Sequence, residues 1–283
     1  MSAPSSRAVS LKRDNLINAK LIDVHSAYAF RARSTALKPL TFLWRGNIIY
    51  RVMIKLSNKK EFAVARAVLT DAVAFEGGEW VVDDENCAAV KINGMHKCVF
   101  GDIGLYRGYA AEYGLYGKTC LLDAPENAAE LLRFKADPCK TFAYLDQMPP
   151  ELDLPAGVEI KRLATTLAEV VLSAYHNPGS YTAERIATLM RDKGVFGAIS
   201  DGKLAGFIGR HSDGSMGMLE VFDGFKRRGI GGALERFLIT YVMTFGRTPY
   251  CDVFANNEAS MYLQRRLGLI ESAGYTFWGE IEE

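Results

Sequence analysis

The chain has 283 residues, more than a single core usually holds, so two domains are the natural division. With 34 Lys and Arg against 33 Asp and Glu, a formal charge of +1, it carries no bulk attraction for nucleic acid or an anionic membrane surface. Hydrophobic residues at 49% and charged ones at 24% exclude a disordered chain and indicate a real core.

The first residues, Met1 to Asn15, mix Ser, Pro, Arg and Lys without a continuous apolar run. Nowhere do about 18 apolar residues follow one another, which argues against secretion and against a membrane span. The five cysteines, Cys87, Cys98, Cys120, Cys139 and Cys251, are widely spaced and form no C-x-x-C pair. That points to a reducing, cytoplasmic setting rather than a disulfide framework or zinc ribbon.

Leu40 to Leu56 reads as strand material broken at Arg45-Gly46-Asn47, a hairpin pattern. From Lys59 to Phe75 the residues Phe62, Ala65, Val68, Leu69, Ala72 and Val73 recur at three and four, so the spacing predicts a helix ended by Gly77-Gly78. Short strands follow at Trp80–Val82, Ala88–Ile92 and Lys97–Phe100, with turns at Asn93-Gly94 and Gly101-Asp102, then Cys120–Leu122. Pro125 to Phe134 reads as a helix with Pro in its first turn, and Thr141–Leu145 as a last strand. This half, residues 1–147, is a smaller α+β domain without a nameable motif.

Gln147 to Pro155 packs three prolines into nine residues and reads as an interdomain linker. Beyond it, residues 156–283 form the second expected domain. Val158–Leu163 is a strand. A helix on Leu167, Val170, Val171, Ala174 and Tyr175 is broken by His176-Asn177-Pro178-Gly179. Thr182 caps a second helix with Glu184 in its first turn and Ile186, Leu189 and Met190 inside. Three strands, Val195–Ile199, Leu204–Gly209 and Met216–Phe222, form a meander turned at Asp201-Gly202 and Asp213-Gly214.

After the third strand come Lys226-Arg227-Arg228-Gly229-Ile230-Gly231-Gly232-Ala233 and a periodic helix on Ile230, Ala233, Leu234, Phe237, Leu238, Tyr241, Val242 and Phe245. Glycines at a strand-to-helix junction let backbone N–H groups face an anion, and Arg227 and Arg228 add charge, which is the chemistry a diphosphate needs. A solvated Gly-rich turn is the alternative. G-x-G-x-x-G is missing and the strands form a meander, which disfavours a dinucleotide site; a terminal G-K-S/T is missing too.

This loop resembles the Q/R-x-x-G-x-G/A pyrophosphate loop of the GNAT superfamily of acyl-CoA-dependent N-acyltransferases, with Lys226 in place of Gln or Arg. The resemblance covers about 125 residues from Val158 onward, in that fold's element order. Downstream, Asn257, Ser260, Gly268 and Leu269 fit the family's N-x-x-A/S-x-x-x-Y-x-x-x-G-F/L helix, but Gln264 stands where many members place a Tyr general acid. The expected fold is therefore α+β, with a GNAT fold in the C-terminal half. A weaker similarity is to tandem-GNAT proteins of the glycine N-acyltransferase type. On that likeness the N-terminal half is a degenerate GNAT domain that has lost cofactor binding and lines the acceptor site.

The resemblance implies a bulge in the strand before the loop, with the backbone of Val221 and Phe222 bonding the pantetheine arm of an acyl-CoA. It further implies that Arg227, Arg228, Gly229, Ile230, Gly231, Gly232 and Ala233 cradle the pyrophosphate. Asn257 either bonds the pantetheine or caps its own helix. Glu220, a carboxylate among Met218, Leu219, Val221 and Phe222, is the candidate base, its burial raising its pKa; a carboxylate paired with an arginine on the open sheet face is the other reading. Tyr262 is the candidate acid, or a core residue sharing a stripe with Ala259, Leu263 and Leu267. His25, His96, His176 and His211 have no ligand-spaced partners, so no metal site reads from the sequence. Cys251 reads as core, and Tyr275, Phe277 and Trp278 as a C-terminal aromatic strand.

These expectations describe an N-acyltransferase using acetyl-CoA or another acyl-CoA, without metal, on a small-molecule amine or amino acid. Two other readings stay open: a non-catalytic acyl-CoA-binding regulatory module, and acyl transfer to a protein or aminoacyl-tRNA, the latter opposed by the balanced charge. No nucleic-acid or membrane partner is expected, and a homodimer is compatible with the chain.

Overall fold

The computed structural model describes Leu56 and residues 62–283. The hairpin expected before Leu56, His25 and the start of the helix expected at Lys59 lie outside the described residues.

Two compact units emerge, each with its own sheet. Among the described residues, one comprises Glu151–Ser212 and Met216–Leu238; the other comprises those up to Pro150 with Asp213–Ser215 and Ile239–Glu283. The Pro-rich segment does lie between the strands Cys139–Ala143 (β5) and Val158–Arg162 (β6), where a linker was expected. The units nevertheless do not follow a single cut there. The final strand, Tyr275–Ile281 (β12), pairs with β4 (Gly117–Ala124) and β5, so the end of the chain completes the sheet begun by the N-terminal strands.

The first unit's sheet runs β6, β7 (Val195–Ser200), β8 (Lys203–Arg210), β9 (Met216–Val221), all antiparallel. Asp201 and Gly202 both take left-handed φ, 51° and 72°, the two-residue turn that matches strand twist. Helices α3 (Ala168–Ala174) and α4 (Ala183–Asp192) cover the sheet. The Thr182 hydroxyl accepts the Arg185 N–H at 3.2 Å, replacing a bond the first turn lacks. Ile186, Leu189 and Met190 recur on one face and are buried with Leu163, Val171 and Phe207. Each such burial contributes about 1.5–3 kcal/mol.

The other unit's sheet has the order β1 (Glu79–Asp83), β2 (Cys87–Ile92), β3 (Met95–Phe100), β4, β12, β5, β10 (Tyr250–Phe254), with β11 (Ile270–Glu271) beside β5. Helix α1 (Ala63–Phe75) packs Val64, Ala65, Val68, Leu69 and Ala72 inward and stops where the Gly78 N–H reaches the Ala72 carbonyl. Among the described residues only β3 and β4 pair in parallel, through a crossover containing helix α2 (Tyr106–Tyr113), which the sequence did not announce. The helix expected from Pro125 is instead a 3-10 run over Glu126–Leu131. The chain is drawn straight back to the sheet, where Arg133 and Glu280 exchange main-chain bonds of 2.7 and 2.8 Å. That leaves no room for a full α-helical span.

This unit buries charge. Lys97 is fully enclosed, its ammonium 2.7 Å from Asp213 and over the rings of Tyr250 and Trp278. Arg247 similarly meets Asp71 at 2.6 Å and Glu76 at 2.5 Å. Among the described residues no helix is long and apolar enough to cross a membrane.

Candidate acyl-CoA site

Strand β9 is the outer strand of the four-stranded sheet. Its register against β8 slips: Phe207 faces Glu220, while Gly209 faces Gly217, so β9 carries one extra residue. That is a β-bulge, and Met218 within it takes φ 54°, left-handed for a buried non-glycine residue. Such strain, of order 1–3 kcal/mol, is commonly held where a strand must aim its groups at a ligand.

Past the bulge the ladder decides which main-chain groups are free. Phe222 donates its N–H to the Ala205 carbonyl at 2.9 Å. Its neighbour Val221, facing Gly206, is then in the non-bonded position, with N–H and C=O turned to the outer edge of β9. Val221 thus presents a donor and an acceptor at the edge. For Phe222 the expectation is corrected: its N–H belongs to β8, and its carbonyl accepts the Phe225 N–H at 2.8 Å. Gly206 permits the close approach, since a Cβ there would lie 2.3 Å from the Glu220 carbonyl oxygen.

The loop turns through a 3-10 run, Asp223–Phe225, into α5 (Ile230–Met243). Arg227 and Gly229 both have left-handed φ, 64° and 80°. The Ala233 N–H bonds the Gly229 carbonyl at 3.1 Å, so the N–H groups of Ile230, Gly231 and Gly232 precede the first helical bond and point out of the helix start. Lys226 is engaged with Asp223 at 2.7 Å. Arg227 and Arg228 are exposed and form no ion pair among the described residues, leaving two cations beside an N–H-lined helix end. Ile230 and Ala233 are buried and anchor the turn from behind. Helix α5 ends before Phe245, which is half exposed and continues the stripe only in sequence.

Glu220 does not pair with an arginine. Its Oε1 accepts the His176 backbone N–H at 2.8 Å and its Oε2 meets His176 Nδ1 at 2.7 Å. The Glu220 side chain is 13% exposed and that of His176 is 76% exposed. Tyr175 lies beside this pair; burial first, then the charges of Tyr181 and Glu220, push its phenol up to about 12. Tyr181 in turn bonds His211 Nδ1 at 2.7 Å with the rings stacked. These five residues make a polar aromatic cluster on the first unit.

The other expected residues sit on α6 (Glu258–Arg266) and its flanks. The Asn257 side chain accepts the Ser260 N–H at 3.1 Å, the contact of a helix cap. Tyr262 is 62% exposed, so it is not a core member of the expected stripe; Leu267 of that stripe is buried, and Gln264 turns inward as well. Cys251 and Phe277 are buried, as expected of core.

A search of curated proteins finds no match to this chain. Residues 194–278, which span β7 to β12, match the family model described as FR47-like protein. Among solved structures, a Drosophila protein aligns at 16% identity and TM-score 0.52, covering 83% of this chain and 95% of its own. A GCN5-related N-acetyltransferase from Kribbella flavida aligns at 15% identity and TM-score 0.50, covering 79% of this chain and 96% of its own. The fold is the GNAT fold.

A GNAT fold implies acyl-CoA binding, and the residues here fit that group. Glycines 229, 231 and 232 leave the helix start bare, Arg227 and Arg228 flank it, the latter over the Phe225 ring at 5.6 Å, and Val221 offers edge main-chain groups on the preceding strand. Reasoning from the sequence missed the His176–Glu220 pair, because 44 positions separate them. The only signal was a polar His-Asn-Pro-Gly break after α3.

Proposed function

We propose that this chain is an acyl-CoA-dependent N-acyltransferase, moving acetyl from acetyl-CoA to a primary amine of a small molecule or amino acid. The bulged edge strand running into an arginine- and glycine-lined helix start is the observation that carries this reading. In it, the N–H groups of Ile230 to Gly232 and the Arg227 and Arg228 guanidinium groups take the pyrophosphate. Val221 bonds the pantetheine arm through its main chain, as an added strand would. The amine loses a proton near Glu220, its nitrogen attacks the thioester carbonyl, the C–S bond breaks, and the thiolate leaves with a proton.

Isothermal calorimetry with acetyl-CoA tests the reading. A Cβ at Gly231 would only touch Val221 Cγ2 at 3.6 Å, so Gly231→Glu should fold while placing a carboxylate where phosphate belongs. Binding by the wild type that the variant loses is expected; no wild-type binding, or equal binding by both, overturns it.

A second reading is a non-catalytic acyl-CoA-binding module. It is favoured by Gln264, buried where many GNAT members carry a Tyr acid. Release of free CoA with any amine of a broad panel excludes it.

A further inference from the structure

We propose that His176, rather than Glu220, accepts the proton from the amine, and that Glu220 is the positioning residue that holds it. This rests on the acyltransfer reading above and deepens it.

A general base needs a free lone pair within reach of the proton it takes. Both Glu220 oxygens already accept from the same residue, one from the peptide N–H and one at the ring of His176, so a proton taken by either oxygen weakens the pairing that holds the loop. Turning the carboxylate toward a substrate breaks one or both bonds. The 2.7 Å contact suits the tautomer in which Nδ1 donates to Glu220, and we assign that tautomer, with Nε2 as the accepting nitrogen. The buried partner is the carboxylate and the exposed partner is the ring, 13% against 76%, so Nε2 is the group that an incoming amine can meet.

The local chain supports this placement. His176 follows α3, where the Tyr175 N–H closes the helix on the Val171 carbonyl at 2.9 Å. The next N–H, that of His176, would be left without a helical acceptor, and Glu220 Oε1 takes it. The carboxylate thereby fixes backbone and ring together. On the strand side, Glu220 is the second residue after the bulged Met218, and the bulge directs its side chain toward this loop.

The proton balance closes. An ammonium gives one proton to Nε2, and the imidazolium that forms is stabilised by Glu220. The neutral nitrogen then forms its bond to the thioester carbon. Collapse breaks the C–S bond, the attacking nitrogen's second proton passes to the departing thiolate, and the imidazolium returns its proton to water. The products are the amide, free CoA and one proton.

The test uses the full chain, acetyl-CoA and a panel of primary amines, with His176→Gln, Glu220→Gln and wild type, each checked by circular dichroism and for acetyl-CoA affinity. With His176→Gln we expect kcat to fall about 100-fold or more, the low end of what a general base supplies. Acetyl-CoA affinity should stay within about twofold of wild type, and added imidazole should restore part of the His176→Gln rate but none of the loss in Glu220→Gln. A His176→Gln rate like wild type, or a slow one that imidazole leaves unchanged, overturns the assignment while leaving acyltransfer intact. Wild type that binds no acetyl-CoA, or binds it and acylates no amine, overturns the underlying acyltransfer reading itself.

Discussion

Two stretches of this chain run the same course, from the last strand of a meander through a helix to another strand: β3–α2–β4 and β9–α5–β10. In the first, β4 pairs in parallel with β3 along His96 to Cys98, so both main chains are consumed in the ladder. The turn before α2 is closed by its own acid, the Asp102 carboxylate accepting the Gly104 N–H at 2.8 Å. In the second, β9 is an outer strand, bulged at Met218, and the loop into α5 carries Arg227, Arg228 and Gly229, while its carboxylate, Asp223, is held by Lys226 at 2.7 Å. A shared course therefore does not confer a shared site. What separates them is whether the backbone is spent on itself and which sign of charge stands at the helix start.

The comparison breaks if the two helix starts respond alike to added charge. Gly231→Glu should abolish measurable acetyl-CoA binding. Gly108 occupies the third position of α2, exposed and with nothing within 4 Å of a Cβ, so Gly108→Glu should fold normally and bind acetyl-CoA as wild type does. Equal losses in both variants would assign the first crossover to the site as well.

A second difference is what holds the first crossover shut. Lys97 on β3 lies inside the core with Asp213 at 2.7 Å and the Tyr250 hydroxyl at 3.4 Å. Removing one member leaves the other charge buried and unmatched, which typically costs about 3–5 kcal/mol. Lys97→Met should lower stability by that order in urea denaturation, whereas Lys91→Met, exposed on β2, should change it by under about 0.5 kcal/mol. A small effect at Lys97 would mean that the pair is relaxed by water and that the ladder alone holds β3 to β4.

What could be read from the residues follows the same contrast. The meander from Val195 to Val221, the capped helix α4 and the glycine loop were legible because each is local: alternation, an N-cap three residues from its donor, a turn dipeptide. The α2 crossover was not, since only Tyr106 and Ala110 of its helix are buried and Gly108 interrupts it, leaving no stripe. Nor was the joining of β12 to β4 and β5, a pairing between residues more than 130 positions apart that no spacing encodes. The face of α6 was misread because Ala259, Leu263 and Leu267 suggested a stripe that included Tyr262, while a glutamine, polar by type, takes the buried place. His176 was passed over for the same reason of distance: its partner on β9 lies 44 positions away.

The crossovers also end differently. Where β4 is apolar and buried at Cys120 to Leu122, β10 carries Asp252, whose carboxyl burial pushes up to about 6, against the opposing pull of Lys97 and the Thr141 hydroxyl. The unfolded carboxyl titrates at its ordinary 3.8, so between that value and about 6 the folded chain holds a proton that the unfolded chain has lost. Stability contributed by this group is full below 3.8 and is lost as pH rises through about 6. Denaturation midpoints measured across that window should fall with pH in the wild type, and the part due to this residue should vanish in Asp252→Asn. An unchanged slope in the variant would place the pH dependence on other groups.

The smallest expected effect concerns Asn257, the residue just before α6 that two roles compete for. Its side-chain oxygen is committed to the Ser260 N–H at 3.1 Å, and Glu258 adds an acid to the same first turn. A cap of this kind is worth about 1 kcal/mol and acts on the helix alone. Asn257→Ala should therefore lower stability by about that amount, Asn257→Asp should nearly preserve it, and acetyl-CoA affinity should be equal in all three proteins. Affinity falling tenfold in Asn257→Ala with stability unchanged would reverse the assignment and make the side chain a ligand contact instead of a cap.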